Sequence, residues 1–173
     1  MTLWSLIISD MGPAPSHPGI WGALRLYIGY TAYRACVSYR VAHYLYTTGH
    51  PTLALYFSQR ALARTGAEIH PGAHIGPGIR MIHPVGVVIG EGAIIGANIT
   101  LLSGVVIGER GGEHGRNGFP RIGENVRLYS GARVLGPVTL GDGAVVGANS
   151  VVVRDVSPHT TVVGAPAKSI QHR

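Results

Sequence analysis

Residues 87–108 read VVIGEGAIIGANITLLSGVVIG. Within them Ile89, Ile95, Leu101 and Ile107 stand six residues apart, and Gly90, Gly96 and Gly108 directly follow three of the four. A period of six fits neither a 3.6-residue helix nor a hairpin sheet. It is the signature of a parallel β-helix, in which each hexad supplies one short strand and one turn. The aliphatic side chain points into the coil, and the small residue lets the chain take a tight corner. Three hexads close one triangular coil. Backward, the pattern runs through Ile69, Ile75 and Met81; forward, through Ile122, Leu128, Val134, Leu140, Val146 and Val152.

The period breaks twice. From Met81 to Ile89 the step is eight residues, two more than a hexad, and the slip carries Ile82-His83-Pro84-Val85-Gly86. From Ile107 to Ile122 the step is fifteen, read as two hexads plus three residues. Insertions in a solenoid become loops on one face, often the binding face.

Composition agrees with a solenoid. The 173 residues include 26 Gly, and only 13% are charged, which argues against disorder. The formal charge of +6 admits a nucleic acid, an anionic lipid or a phosphorylated ligand. No RNA-binding aromatic signature and no zinc-finger spacing is seen, so a phosphorylated ligand is favoured and nucleic acid is not expected. The single cysteine, Cys36, excludes an internal disulfide and suits a reducing compartment. Leu3 to Ile8 is too short for a signal peptide and runs into Asp10, and no apolar run of about 18 residues exists. The expected location is the cytoplasm.

Three segments are expected: a helical segment over 1–65, a β-helix over 66–168 and a flexible tail over 169–173. In the first, Leu24, Ile28, Thr31 and Ala35 mark one helical face, and Val37, Val41 and Leu45 continue it after a bend. Gly49-His50-Pro51 stops that helix, and Leu53, Tyr56, Phe57, Arg60 and Arg64 mark the next. Seven of the eight tyrosines lie here, with Arg25, Arg34, Arg40, Arg60 and Arg64. The segment reads as a cap packed on the solenoid end and on neighbouring subunits; a basic, aromatic contact with a membrane surface is the sharper alternative.

His83 is the first candidate for chemistry. It sits in the phase slip, so its side chain need not face the filled interior, and an imidazole is a natural general base near neutral pH. Glu68 precedes it by fifteen residues, nearly one turn of a coil of about eighteen, so the two side chains are expected to meet. A carboxylate bonded to the imidazole would fix its tautomer and stabilise the imidazolium. The loop from Gly108 to Arg121 carries Gly111, Gly112, Gly115 and Gly118 with Arg110, His114 and Arg116. Its amides suit close approach to a ligand, and its basic residues suit a phosphate. His70, His74 and His83 invite a metal reading, but no later paired His completes a site, so no metal is expected.

At these residues the chain resembles the serine acetyltransferase family, left-handed β-helix acyltransferases that use acetyl-CoA. The resemblance spans roughly residues 30–170. It rests on Gly66-Ala67-Glu68-Ile69-His70-Pro71, on Ile75-Gly76-Pro77-Gly78, on Gly86-Val87-Val88-Ile89-Gly90-Glu91, on Val146-Gly147-Ala148-Asn149-Ser150-Val151-Val152, and on Val163 to Ala167. It implies a left-handed parallel β-helix of about five coils with an N-terminal α-helical cap. The family's catalytic His falls on His83 and its carboxylate partner on Glu68. A homotrimer is implied, with CoA in the groove between two β-helices. There Ser130, Gly131, Gly147 and Ala148 would line the pantetheine, Lys168 would meet a phosphate, and an amide near Gly104 or in Gly108–Gly112 would hold the oxyanion.

Two positions depart from the family. Ile82 stands where it has Asp, and Phe119 where its loop has His. Loss of ion-pair partners for a zwitterion points to a neutral acceptor hydroxyl, with Ile82 and Phe119 lining its site. The Ile82-His83 pair also resembles the exopolysaccharide (colanic-acid-type) acetyltransferases. The expected activity is therefore acetyl-CoA-dependent O-acetylation of a sugar or other non-amino-acid acceptor. Serine O-acetylation and a non-catalytic scaffold that binds a partner enzyme are the alternatives.

Overall fold

A computed structural model describes residues 1–12, 19–111 and 118–170. The solenoid is a three-sided prism of parallel strands. One face stacks Glu68–Ile69, Val88–Ile89, Val106–Gly108, Arg133–Leu135 and Val151–Val152. A second stacks His74–Ile75, Ile94–Ile95, Arg121–Ile122 and Thr139–Leu140, extended by a bridge from Leu140 to Val156. The third stacks Arg80–Ile82, Thr100–Leu102, Arg127–Leu128, Val145–Val146 and Thr161–Val163. The short sides and triangular section fit the left-handed form.

Every aliphatic residue of the hexad series is buried. A second inward position lies two residues earlier, at Ala67, Ala73, Ile79, Val87, Ala93, Ile99, Val105, Val126, Ala132, Val138 and Ala144. Strand geometry explains the pair, because residues i and i−2 share a face. The core is thus a stack of branched residues alternating with a narrower second set.

Strand register sharpens both phase breaks. Glu68 pairs with Val88, an offset of 20, and Val88 with Val106, an offset of 18, so the slip adds two residues. Val106 pairs with Arg133, an offset of 27. The insertion therefore adds nine residues to one side of one coil, and the reading of two hexads plus three is corrected: Ile107 and Ile122 lie on successive faces.

Between the second and third faces, Gly76, Gly96 and Gly123 stack on one another. A Cβ on Gly96 would lie 2.7 Å from the carbonyl oxygen of Gly123, and one on Gly76 would lie 2.7 Å from that of Gly96. The obstacle is backbone, which cannot rotate away. Gly96→Ala is expected to cost about 1–3 kcal/mol, read by urea unfolding. Gly108→Ala, where a Cβ meets nothing within 4 Å, is the control expected to stay near wild type.

Four helices precede the solenoid: α1 (Leu3–Ser9), α2 (Ile20–Gly29), α3 (Thr31–Thr47) and α4 (Pro51–Thr65). Helices α2 and α3 are separate, because Tyr30 is extended at φ −125°, ψ 114°. Arg34 stabilises the break by donating to the terminal carbonyls of Tyr27 (3.1 Å) and Ile28 (2.9 Å). Leu24 and Ile28 are exposed, while α2 buries Gly22 and Ala23. Likewise Leu53, Tyr56 and Phe57 of α4 are exposed, and Ala54 is buried. Small residues face inward because α3 and the first coil approach closely.

The cap satisfies polar groups at the edge of the first coil. The Tyr39 hydroxyl donates to Ala73 O (2.7 Å) and accepts from Ile75 N–H (3.2 Å). Ser58 donates to Ile69 O at 2.9 Å. Arg40 donates to Ile75 O (2.6 Å) and Gly76 O (2.7 Å), and also to both carboxylate oxygens of Asp10 (2.8 and 3.1 Å). Asp10 in turn accepts from Gly78 N–H and Ile79 N–H. Cys36 is buried in this junction, and burial, then the Asp10 charge, pushes its thiol up to about 12. That thiol packs and does not ionise.

At the other end, Lys168–Ser169 runs antiparallel to Thr161–Val163, and Ile170 N–H donates to Thr161 O at 3.0 Å. Ser169 therefore belongs to a paired strand, and a tail starting at residue 169 starts too early.

Candidate active site

Each coil turns from the third face to the first at one edge of the prism, and His83 stands at the first such corner. Its φ is +57°, in the left-handed region, and its side chain is exposed. Among the described residues, the other non-glycine residues held at positive φ are Asn98, Asn125, Asn149 and His159. Asn is the residue that tolerates this conformation best after Gly. A His held there is a strained choice, and strain of this kind gathers at functional sites.

Four of the residues picked out for the acyl donor, Gly104, Ser130, Gly131 and Ala148, fall along this same edge. Gly86 N–H donates to Gly66 O (2.8 Å), Gly104 N–H to Val85 O (3.0 Å), Gly131 N–H to Ser103 O (2.8 Å) and Asn149 N–H to Ser130 O (2.9 Å). Corner stacks on corner, which brings His83, Gly104, Ser130, Gly131 and Ala148 into one column. Gly86, Gly104 and Gly131 all have φ between 69° and 75°. The column thus stacks glycine corners and small side chains, flanked by the exposed Val85 and Asn149.

The amides of Gly104 and Gly131 are committed to this ladder, and Gly147 N–H donates to Val162 O at 2.9 Å. The Gly104 N–H itself is therefore not free for an oxyanion. Gly147 has a packing reason as well: a Cβ there would meet Val163 Cγ1 at 2.7 Å. Sequence reasoning missed Ser103, whose hydroxyl lies 3.4 Å from that of Ser130. The 27-residue offset of the enlarged coil relates the two and was the available signal.

Glu68 lies on the first face, one coil below Val88, and is exposed. Among the described residues no hydrogen bond or ion pair joins it to His83. The expected meeting of the two side chains is not present in the isolated chain.

Gly108 and Gly111 begin the insertion at a different edge, between the first and second faces. Gly112, His114 and Arg116 lie outside the described residues. Phe119 returns along that edge and packs flat on the coil. A Cβ on Gly90 would lie 2.5 Å from its ring, and one on Gly92 2.3 Å. Within one chain its ring covers two glycines, at an edge other than that of His83. Ile82 is half-buried at the end of a third-face strand, in register with Leu102. Lys168 is exposed on the closing strand.

The candidate metal residues are engaged elsewhere. His70 Nδ1 accepts from Gly72 N–H at 3.0 Å. The His74 ring stands edge-on to His43, with centroids 5.3 Å apart. Burial holds His43 below the usual imidazole range, and its Nδ1–H donates to Pro71 O at 2.8 Å.

Comparison with known proteins matches two models of hexapeptide repeats. One, the hexapeptide repeat of succinyl-transferase, covers residues 66–103; the other, the bacterial transferase hexapeptide (six repeats), covers 119–154. The crystal structure of soybean serine acetyltransferase apoenzyme superposes with a TM-score of 0.86 at 39% identity, over 97% of this chain and 69% of that one. The chain belongs to the serine acetyltransferase-like family of hexapeptide-repeat acyltransferases. The Neisseria gonorrhoeae serine acetyltransferase superposes equally well, at a TM-score of 0.86 and 35% identity, over 98% of this chain and 65% of that one. Serine acetyltransferase 2 of Arabidopsis thaliana is 45% identical over 139 residues, 80% of this chain and 43% of the relative. The chain spans about half the length of the curated relatives it matches, from 43% to 62% of them.

These matches overturn the expectation of a non-amino-acid acceptor. Relatives named serine acetyltransferase align at 38–45% identity across most of the chain, so members of this family with the same coil carry that name. The physical argument for a neutral acceptor rested on Ile82 and Phe119. One of them packs on glycines at another edge of the prism, and the other is a strand-end residue paired with Leu102.

Proposed function

We propose that this chain is an acetyl-CoA-dependent serine O-acetyltransferase, with His83 as general base. The observation that carries the proposal is the likeness to soybean serine acetyltransferase over nearly the whole chain. His83 takes the proton from the acceptor hydroxyl, and the oxygen attacks the thioester carbonyl carbon. The C–S bond then breaks, the acetyl group stays on the acceptor oxygen, and the proton passes from the imidazolium to the departing thiolate. No side chain is acylated, so neither an activated Ser nor Cys is required.

The column of Gly104, Ser130, Gly131 and Ala148 suits the acyl-donor arm because a slender chain can lie against bare backbone. The exposed Lys168 is available to a phosphate group. The insertion start at Gly108–Gly111 supplies donors for the oxyanion. It leaves the prism at a different edge from His83, and this supports a homotrimer: a neighbouring copy brings its loop edge against the His83 edge. Glu68, unpaired among the described residues, orients His83 in the assembled site.

The test is release of CoA thiol by the purified full chain with acetyl-CoA and L-serine, set against a panel of sugars. Turnover is expected with serine, and the protein is expected to sediment as a trimer or a multiple of one. Absence of serine turnover in a folded, acetyl-CoA-binding preparation refutes the proposal.

A further inference from the structure

Helix α2 is turned inside out for a protein in water. It buries Gly22 and Ala23 and exposes Ile20, Trp21, Leu24 and Ile28, with Trp21 at 77% and Ile28 at 68%. Four large apolar side chains on one short helix form a contiguous exposed stripe of the kind that marks an interaction site. Among the described residues nothing covers them.

The charge around the stripe identifies what does. Residues 1–67 contain five arginines and a single acidic residue, Asp10. Asp10 and Arg40 neutralise each other in the interior, with side chains 0% and 1% exposed. The surface of the cap therefore carries Arg25, Arg34, Arg60 and Arg64 and no carboxylate. An open cavity of about 390 Å³ at the end of the stripe is lined by Tyr27, Ile28, Arg34 and Arg64, so two guanidinium groups from α3 and α4 converge beside the apolar row. Two copies meeting cap to cap through this face would set arginine against arginine with no acidic partner from either cap.

We infer that α2 is a docking surface for an anionic phospholipid bilayer. Ile20, Trp21, Leu24 and Ile28 enter the headgroup and acyl boundary, and Arg25, Arg34 and Arg64 meet lipid phosphates. The contact is peripheral, since no helix among the described residues is long and apolar enough to cross a membrane. A ten-residue helix buries little area, so its hold depends on both apolar insertion and charge.

The experiment is co-sedimentation of the full chain with vesicles of phosphatidylglycerol and phosphatidylcholine, against phosphatidylcholine alone. Partition is expected only with the anionic vesicles, weakening as salt rises, with a blue shift of tryptophan emission. Trp21→Ser with Ile28→Ser should abolish the partition. Arg25→Glu with Arg64→Glu should reduce it by at least about fivefold per arginine removed. Arg34 is left alone because it caps α2. All four positions are exposed or on the cap surface, so circular dichroism and Tm are expected to be unchanged, and each pair stands in if the other fails to fold. No partition into anionic vesicles, or partition indifferent to both pairs, overturns the inference. So does a fall in oligomer mass of Trp21→Ser/Ile28→Ser without any lipid binding by the parent, which assigns the stripe to a second copy.

Discussion

His83→Asn is expected to lower turnover of serine and acetyl-CoA by at least about a hundredfold while leaving the Tm within about 2 °C of the parent. Asn is the informative replacement. His83 has φ +57°, and the solenoid already holds Asn98, Asn125 and Asn149 in that conformation. Ala would add backbone strain and blur the loss of a base with a loss of folding. The measurement is thiol release under saturating acetyl-CoA, beside a thermal melt. Turnover within tenfold of the parent would remove His83 from the mechanism. A biological function untouched by the change, in a protein without detectable turnover, would favour the scaffold alternative. Glu68→Gln separates positioning from chemistry. If Glu68 orients His83, Glu68→Gln should lower kcat by about tenfold or more while leaving the KM for acetyl-CoA unchanged. A kcat equal to the parent's would deny Glu68 that role.

The largest stability effect is expected at Arg40. Its guanidinium ties the end of α1, through Asp10, to α3 and to the carbonyls of Ile75 and Gly76. Both side chains are essentially excluded from water. Arg40→Ala leaves a buried carboxylate without its cation and two buried carbonyls without their donors. The expected cost is about 3–5 kcal/mol, a fall in Tm on the order of 10 °C for a chain of this size. Asp10→Ala should cost about as much. The double variant should cost clearly less than the two single losses added together, since each removes the same interaction. Urea unfolding of the three variants measures this coupling. Additive losses, or a drop of less than about 2 °C for Arg40→Ala, would mean that the junction is held by Tyr39 and packing instead.

Much of the candidate site was readable from spacing, because in a solenoid position along the chain converts directly into position in space. Ser130, Gly131 and Ala148 share an edge with Gly104 and His83 since each is a corner residue of its coil. The phase slip at residues 82–86 marked the corner of this edge that holds His83. The packing of Phe119 on Gly90 and Gly92 was not legible, because it follows a nine-residue insertion and no repeat predicts where an insertion folds back. Glu68 was placed near His83 by counting residues, which locates a backbone but not a side chain. The inward faces of α2 and α4 were not legible, because periodicity finds a stripe of residues on one face and does not say which face meets the core. Here the core side is lined by Gly22, Ala23 and Ala54.

By itself the sequence determined the β-helix, since an aliphatic residue every sixth position can be buried in only one way: three short sides per coil, stacked in register. It also determined the family, because His83, Glu68 and the closing runs keep the family's order and spacing. Only the tertiary structure decided the rest. Which side of a helix faces inward depends on how closely its neighbour approaches, and the approach of α3 favours Gly and Ala over Ile and Trp. Whether Gly104 has a donor to offer depends on the coil beneath it, which already accepts that N–H. The buried pair of Asp10 and Arg40 spans thirty residues of chain and obeys no repeat. It exists because the first coil ends in unpaired carbonyls, and only folding brings a guanidinium to them.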